Sequence, residues 1–422
     1  MRNHFRKKIY VLLSEKEFWI ANLGQAANIL SLVLQTKLIV MYFSRAEYGN
    51  WSILMTYYTM LQMLPFTAVN NAICRYSAEY RNHKNVYLSA IITGYLFIFL
   101  IQTVVFEILC LAGIVDYNFE NYQALFMVYC FLETIKGAFF HVYTYLRKRN
   151  RVLLCYIVDF ILTGTGLGSM YLMQFMTIKY ILAILCLKDF LLIILINREF
   201  HFQIQKDMYA VIYTQLFKFS VPVIIWNIFG YIQGVINKWL LNYYLSAGAV
   251  AMYTVAVGVA MYIPVFYQSF ISNYFYPVLY GQKEEMTVKK YLKYVLIFAL
   301  PLIGYCILMP FLGRYIIIMA YDKKYLDVRK YTGIACVSCA AGILADLGLF
   351  EILKLGLTRR LVIPKICPGI VMTVMGFILV SEYGLTGAIA NYCLGQWIYA
   401  VLAGVVCIHT QIKIQKERVE KQ

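Results

Sequence analysis

Long apolar runs, separated by short polar stretches, follow one another along almost the whole of this 422-residue chain. A helix needs about 20 apolar residues to cross the hydrocarbon of a bilayer, so a span and its loop take roughly 30–35 residues. The chain length therefore predicts about twelve spans. Only 14% of the residues are charged and 62% are hydrophobic, whereas soluble domains carry about 25% charged residues. We predict an all-α polytopic membrane protein and exclude soluble, disordered and small disulfide-linked folds.

The positions of the spans predict two lobes of six helices each. Residues 1–17 form a basic, amphipathic cytoplasmic segment on the inner membrane surface rather than a cleaved signal peptide. A six-helix lobe follows over residues 18–197, a cytoplasmic linker over 198–215, a second six-helix lobe over 216–408 and a cytoplasmic tail over 409–422. The individual spans lie near 18–43, 49–73, 88–113, 122–146, 152–174, 180–197, 216–244, 248–274, 291–319, 331–354, 366–381 and 385–408.

The distribution of Lys and Arg predicts which side of the membrane each loop faces. With both termini in the cytoplasm, 27 of the 38 Lys and Arg residues fall in cytoplasmic ends and loops. Seven fall in external loops, and this bias is the one that the positive-inside rule describes. The net charge of +17 is therefore explained by orientation and by contact with anionic membrane lipids. Because no soluble basic face remains, we exclude nucleic acid as a partner.

Cysteine and histidine give no sign of metal or redox chemistry. Cys336 and Cys339 form a CxxC pair without a second pair or a histidine nearby, so we predict that they are packing residues. The five histidines are scattered near span ends, without metal-ligand spacing. The sequence has no nucleotide-binding loop of the Walker type, and its external loops are short. We therefore predict no metal, no cofactor and no enzymatic activity.

An internal repeat relates the two halves of the chain. KLIVMYFSRAEYGNWSI, from Lys37, aligns with KWLLNYYLSAGAVAMYTV, from Lys238, at an offset of 201 to 202 residues. Six spans separate the copies, so the repeat keeps its orientation in the membrane and its axis lies along the membrane normal. Two such lobes facing one another are typical of transporters, with the substrate path between the lobes.

The same segments resemble those of bacterial polysaccharide flippases. The resemblance lies in the stretch Lys37–Trp51, in AVNNAICRYSAEYR at the end of the second span, and in VINKWLLNYYLSAGAVAMYTVAVG in the seventh and eighth spans. These flippases belong to the multidrug/oligosaccharidyl-lipid/polysaccharide exporter superfamily. The twelve-span layout, the cytoplasmic termini and the mid-chain loop agree over essentially the whole length.

The resemblance implies a V-shaped pair of lobes in the bacterial cytoplasmic membrane. It also implies the substrate, an oligosaccharide repeat unit of O-antigen or capsule carried on a polyprenyl diphosphate and moved to the outer leaflet by alternating access. A polysaccharide polymerase and chain-length proteins are the implied partners. Two alternatives stay open: an ion-coupled multidrug or small-molecule exporter of the same superfamily, and a membrane polysaccharide polymerase or acyltransferase.

Cations inside the spans are the candidate substrate-binding residues, because a charge near the bilayer centre costs about 2.5–3.5 kcal/mol. The repeat places Lys37 and Lys238 at equivalent positions on opposing lobes, where two ammonium groups are predicted to clamp a diphosphate. The alternative is that both side chains extend to the headgroups. Arg75, at the cytoplasmic end of the second span, either anchors that end or meets the phosphates at the cytoplasmic mouth.

The remaining charges within spans are candidates for ion coupling or for internal pairing. Glu133 and Lys136 are spaced i,i+3 and so share a helix face, whereas Lys188 and Asp189 are adjacent and point in different directions. Asp159 lies within reach of Lys136 or Lys188. The substrate-binding candidates are thus Lys37, Lys238, Arg75, Lys136 and Lys188, and the ion-coupling candidates are Asp159, Asp346, Glu133 and Asp189.

The topology can be tested by labelling single introduced cysteines with a membrane-impermeant reagent. Arg149→Cys and Lys289→Cys should react only from the cytoplasmic side, and Asp116→Cys and Glu382→Cys only from outside. Reaction of positions 149 and 116 from the same side would contradict the twelve-span topology.

Overall fold

The structure, a computed structural model, describes residues 16–76, 79–113, 122–146, 148–198, 200–280, 287–349, 352, 357, 360 and 362–419. Within this part of the chain the protein folds into twelve α-helices, without a strand. Residues 1–15, which hold most of the predicted amphipathic segment, lie outside the described residues, as do the last three residues of the predicted tail.

We number the helices in chain order. They are α1 Lys16–Tyr42, α2 Arg45–Leu61, α3 Thr67–Tyr76, α4 Lys84–Leu111, α5 Gln123–Tyr145, α6 Arg149–Leu172, α7 Ile178–Ile196, α8 Lys206–Tyr244, α9 Ala247–Tyr280, α10 Val288–Ala320, α11 Arg329–Gly348 and α12 Val362–Val419. One turn of π-helix, Gln62–Phe66, joins α2 to α3. Two short 3₁₀ segments, Arg81–His83 and Lys323–Val328, precede α4 and α11.

Eight helices in the described residues are long and apolar enough to cross a membrane. The prediction of an all-α polytopic membrane protein is thereby confirmed. Helix α12 contains the last two predicted spans. Between these two spans its backbone breaks at Gly384, where φ is +56°. A positive φ is open to glycine at little cost and strained for other residues, so the short sequence between the two spans becomes a kink.

Two predicted boundaries differ from the structure. Helix α8 begins at Lys206, inside the predicted linker 198–215, because Tyr209, Ile212 and Leu216 continue one apolar stripe that is buried in the core. Helix α11 ends at Gly348, where the predicted span continues to residue 354.

The chain folds into two compact units. Unit 1 consists of Met1–Tyr42 and Tyr58–Ile224, and unit 2 of Phe43–Tyr57 and Ile225–Gln422. Most of α2, up to Tyr57, therefore groups with helices from the second half of the chain. The predicted membrane lobes, 18–197 and 216–408, remain predictions about the arrangement in the bilayer.

The core of unit 1 is built from aromatic and branched side chains of six helices. Phe66 and Tyr95 pack edge to face with ring centroids 5.0 Å apart, and Tyr95 donates a hydrogen bond of 2.6 Å to Asn70 Oδ1. Pro65 lies in the π-turn between α2 and α3. Since proline has no N–H and its ring clashes with the preceding turn, it favours such an interruption of the helix.

In unit 2 the start of α2 is held by polar and aromatic contacts. Arg45 Nη2 lies 2.9 Å from Asp327 Oδ2 and also donates to the Lys324 carbonyl. Tyr48 packs edge to face on Tyr325 with centroids 6.1 Å apart. Gly49 lies so close to the start of α9 that a Cβ at this position would overlap the Ala247 backbone carbonyl.

Gly49→Ala should therefore destabilise the protein, because neither backbone can move without separating α2 from α9. Overpacking of this kind costs about 1–3 kcal/mol. The matched control is Gly304→Ala in α10, where a Cβ would meet nothing within 4 Å. The thermal midpoint of the detergent-purified protein should fall for Gly49→Ala and stay constant or rise for Gly304→Ala. Equal midpoints for the two variants would contradict the close helix contact.

Candidate functional site

Five charged side chains meet inside unit 1, and we call them the unit 1 charge cluster. Glu133 and Lys136 come from α5, Asp159 from α6, and Lys188 and Asp189 from α7. Lys136, Asp159 and Lys188 are each 7% exposed, and Asp189 is fully buried. Among the residues of unit 1 that the structure describes, every buried charged side chain belongs to this cluster.

The ion pairs within the cluster connect all five residues. Lys136 Nζ lies 2.6 Å from Glu133 Oε2 and 2.7 Å from Asp189 Oδ1. Lys188 Nζ lies 2.9 Å from Asp159 Oδ1 and 3.9 Å from Asp189 Oδ1. Each ammonium group thus bridges carboxylates from different helices, and Asp189 lies between the two cations.

Hydroxyl groups extend this network to α1. Ser31 donates a hydrogen bond to Asp159 Oδ2, and its Oγ lies 3.2 Å from Thr163 Oγ1. The helix α1 packs along α6, so Ser31 and Asp159 face one another across this contact. A carboxylate that accepts a hydrogen bond and an ion pair on separate oxygens is held in one orientation.

The structure shows which ionic partner each of these charged residues has. The i,i+3 pair of Glu133 and Lys136 forms, and of the two cations considered for Asp159 the closer is Lys188. Lys188 and Asp189 find different principal partners, as their positions on the helix predict. The ammonium groups of Lys136 and Lys188 contact carboxylates of the protein in this structure. Their predicted role in binding substrate stays a prediction.

Unit 2 holds a partly buried acid, Asp346 of α11, whose side chain is 32% exposed and contacts side chains of α9 and α12. Lys365 Nζ of α12 lies 3.3 Å from Asp346 Oδ1, and Gln268 Nε2 of α9 donates to Oδ2 over 3.2 Å. Tyr399 donates to Oδ1, and the Lys365 ammonium lies 3.8 Å from the centre of the Tyr399 ring. Sequence reasoning missed Lys365 because it counted this residue among the cytoplasmic loop cations.

The two lysines related by the repeat occupy matching places in their helices. Lys37 lies five residues before the end of α1 and Lys238 six residues before the end of α8. Both are half-buried. Beside Lys238, Asn237 accepts a hydrogen bond of 2.7 Å from Asn391 and donates one of 3.1 Å to Tyr253. The two lysines belong to different units, and their action as a clamp stays a prediction.

Two further sequence predictions can be placed. Arg75 lies in the last turn of α3, and its side chain falls outside the described residues. Cys336 and Cys339 are free and buried, and Cys336 Sγ lies 3.7 Å from Cys306 Sγ of α10, as expected for packing residues. In the described part of the chain, no group of three or more His, Cys, Asp or Glu side chains is arranged to hold a metal ion.

Residues 14–282 match the family described as polysaccharide biosynthesis protein. The chain belongs to this family. The match begins just before α1 and ends just after α9, so it contains the charge cluster, Lys37 and Lys238. Among curated protein sequences, none matches this polysaccharide biosynthesis protein.

Solved structures show which fold the family member adopts. A structure of the lipid II flippase MurJ in an inward closed conformation is 14% identical, with 91% of this chain and 86% of that chain covered and a TM-score of 0.63. The eukaryotic MATE transporter AtDTX14 is 12% identical, with 96% and 98% covered and a TM-score of 0.67. A MOP superfamily transporter from Pyrococcus furiosus is 11% identical, with 94% of each chain covered and a TM-score of 0.63. This polysaccharide biosynthesis protein therefore has the fold of these transporters.

The pairing inside the cluster can be tested by removing one charge and then both. Lys188→Met should cost about 3–5 kcal/mol, because it leaves Asp159 buried without its cation. The double variant Lys188→Met, Asp159→Asn should recover most of that loss, since no uncompensated charge remains. Thermal midpoints and membrane abundance measure both effects.

The matched control for this pair is Arg45 with Asp327, whose side chains are 39% and 66% exposed. Truncating that pair should cost less than about 1 kcal/mol. A double variant of Lys188 and Asp159 that is as unstable as the sum of its single variants would show that the two residues do not act as a pair.

Proposed function

We propose that this chain is a flippase that moves a polyprenyl-diphosphate-linked oligosaccharide from the cytoplasmic to the outer leaflet of the bacterial cytoplasmic membrane. The observation that carries the proposal is the combination of family and fold: a polysaccharide biosynthesis protein built like a membrane transporter. A polysaccharide pathway assembled on a membrane lipid needs a transport step whenever the lipid-linked unit is made on one side and used on the other. Alternating access of the two units would provide that step.

The chemistry of the substrate supports this reading. A diphosphate carries at least two negative charges, and its sugars carry many hydroxyl groups, so the headgroup does not cross hydrocarbon unaided. Lys37 and Lys238 are half-buried cations at matching helix positions, and an ammonium group attracts a phosphate as a point charge. In this proposal they hold the diphosphate from the two units and release it as the units change their arrangement.

The destination of the sugar unit is an O-antigen or capsule polymer at the cell surface. A polymerase and chain-length proteins are the proposed partners, because a unit delivered to the outer leaflet must be joined to others there. The protein's own role is transport rather than bond formation.

A second candidate function is export of drugs or other small molecules coupled to an ion. The likeness to MATE transporters and the buried carboxylates of unit 1, Asp159 and Asp189, favour it. Its substrate would be a free solute, so neither surface polymer nor lipid-linked intermediates should depend on the chain.

Complementation in the source cell separates these functions. Deleting the gene should remove surface polymer and cause lipid-linked repeat units to accumulate, and the intact chain should restore the polymer. The double variant Lys37→Ala, Lys238→Ala should fail to restore it at normal membrane abundance. Each lost charged hydrogen bond weakens diphosphate binding by about 1.5–3 kcal/mol, which is roughly ten- to hundredfold.

Lys218→Ala is the matched control, because Lys218 lies on α8 with Lys238 but is exposed. It should restore polymer fully, and Arg at positions 37 and 238 should restore it in part. Full surface polymer in the double alanine variant would contradict the clamp. A deletion that changes drug resistance but not polymer would favour the second candidate.

A further inference from the structure

A long cavity runs between α10, α11 and α12 of unit 2, and we call it the α10–α12 groove. Its volume is about 580 Å³, and sites for small organic ligands typically enclose about 300–1,000 Å³. The side chains that line it are almost all apolar. On α10 they run from Tyr291 to Ile307, which is about 24 Å of helix. The groove is therefore long and hydrophobic.

The groove is open along part of its length. Among its lining residues, Ile303, Ile307, Val337 and Trp397 are between 42% and 65% exposed, whereas Ala403 is buried. All of them lie on helices that are long and apolar enough to cross a membrane. An apolar opening within such helices excludes water and accepts hydrocarbon.

One end of the groove is marked by contacts that join its three helices. Tyr291 of α10 donates a hydrogen bond of 3.1 Å to the Gly348 carbonyl of α11. Cys407 Sγ of α12 lies 3.7 Å from the same carbonyl oxygen and donates to it. The predicted topology places the start of α10 and the ends of α11 and α12 at the cytoplasmic side of the membrane.

Three cations lie at this same end, on two segments of the chain. Lys289 and Lys290 precede the groove in the first turn of α10, where Lys289 is exposed and Lys290 half-buried. Arg360 Nη1 donates a hydrogen bond of 2.8 Å to Thr410 Oγ1. Thr410 lies three residues beyond the groove on α12, which is about 4.5 Å along the helix.

The combination of an apolar groove with cations at one end matches a ligand that has a hydrocarbon chain and an anionic head. Asp346 lies two residues before Gly348, but its charge is balanced by Lys365. The positive charge of the other three cations is therefore available to an anion at this end. A neutral lipid would use the groove and leave that charge unmatched.

We propose that the α10–α12 groove binds an anionic phospholipid of the cytoplasmic leaflet. One acyl chain lies in the groove, and the phosphate lies at Lys289, Lys290 and Arg360. Anionic lipids of this leaflet attract basic residues beside membrane spans, and a guanidinium group suits phosphate oxygens. This site goes beyond the proposed transport function, because its ligand is a lipid of the membrane and not the cargo.

The size of the groove favours a phospholipid over the polyprenyl chain of the proposed substrate. About 580 Å³ is suited to one acyl chain, whereas a chain of many isoprene units would leave most of its length outside. An acyl chain in the groove contacts α10, α11 and α12 together. The bound lipid therefore adds packing contacts among the three helices and stabilises unit 2.

Native mass spectrometry of the full chain, purified in detergent, tests the charged end of the site. The protein should retain phosphatidylglycerol in preference to phosphatidylethanolamine, which has no net charge. Lys290→Gln and Arg360→Gln should each weaken phosphatidylglycerol binding about fivefold, as expected for one cation beside an anionic lipid. Lys218→Gln is the matched control, since Lys218 is exposed on α8 and outside the groove, and its binding should be unchanged.

Gly404→Leu tests the apolar part of the site by filling it from α12. Gly404 lines the groove, and a Cβ there would meet nothing within 4 Å. Leucine also favours helix more than glycine does, so the fold should persist while phosphatidylglycerol binding falls about tenfold. Gly304→Leu is the matched control, because Gly304 of α10 has the same free space but does not line the groove.

The thermal midpoint provides a second measurement. Added phosphatidylglycerol should raise it for the intact chain and for Gly304→Leu, because a ligand of the folded state stabilises that state. It should not raise the midpoint of Gly404→Leu. The charge variants and the groove variant are separate tests, so the proposal stays testable if one of them does not fold.

Three results would overturn the proposal. Equal retention of phosphatidylglycerol and phosphatidylethanolamine would show that the cations do not select the lipid. Unchanged phosphatidylglycerol binding by Gly404→Leu would reduce the interaction to attraction at the surface, with no chain in the groove. Displacement of phosphatidylglycerol by an equal concentration of polyprenyl diphosphate would assign the groove to the transported lipid instead.

Discussion

Hydrocarbon offers neither water for charged groups nor hydrogen bonds for polar ones, and this constraint organises both units of the protein. A charge placed in a span must find its partner within the fold. In unit 1, ion pairs made by Lys136 and Lys188 connect α5, α6 and α7. A hydrogen bond from Ser31 to Asp159 connects α1 to the same cluster. The positions of four helices are thus linked by one polar cluster, whose energy depends on every member being present.

Unit 2 meets the same constraint with fewer charges. Asp346 is paired with Lys365 and receives hydrogen bonds from Gln268 and Tyr399. Elsewhere in the unit, Asn237 and Asn391 bind each other without any formal charge. The two halves of the chain are related by a sequence repeat, yet the buried charged side chains of the described residues all lie in the first half.

The sequence predicted the features that depend on local pattern. Span positions follow from apolar runs, and the contact between Glu133 and Lys136 follows from their spacing on one helix. The partnership of Asp159 with Lys188 was among the stated options, because neighbouring spans were expected to pack. Features that depend on tertiary packing were not foreseen. Lys365 was assigned to a loop since only its sequence neighbours were considered.

The close approach of Gly49 to Ala247 was also not foreseen. This contact joins the segments around Gly49 and Ala247, which are far apart in the sequence. The sequence repeat aligns these two segments with each other but does not show that they are in contact.

The central claim is that the chain carries lipid-linked oligosaccharide across the membrane. The most direct measurement is the fraction of that lipid in the outer leaflet, determined in intact spheroplasts by accessibility to a membrane-impermeant lectin or oxidant. The account predicts that depleting the chain makes the lipid-linked oligosaccharide inaccessible while its total amount rises, and that restoring the chain reverses both changes. Lipid-linked oligosaccharide that reaches the outer leaflet at an unchanged rate in depleted cells would contradict it.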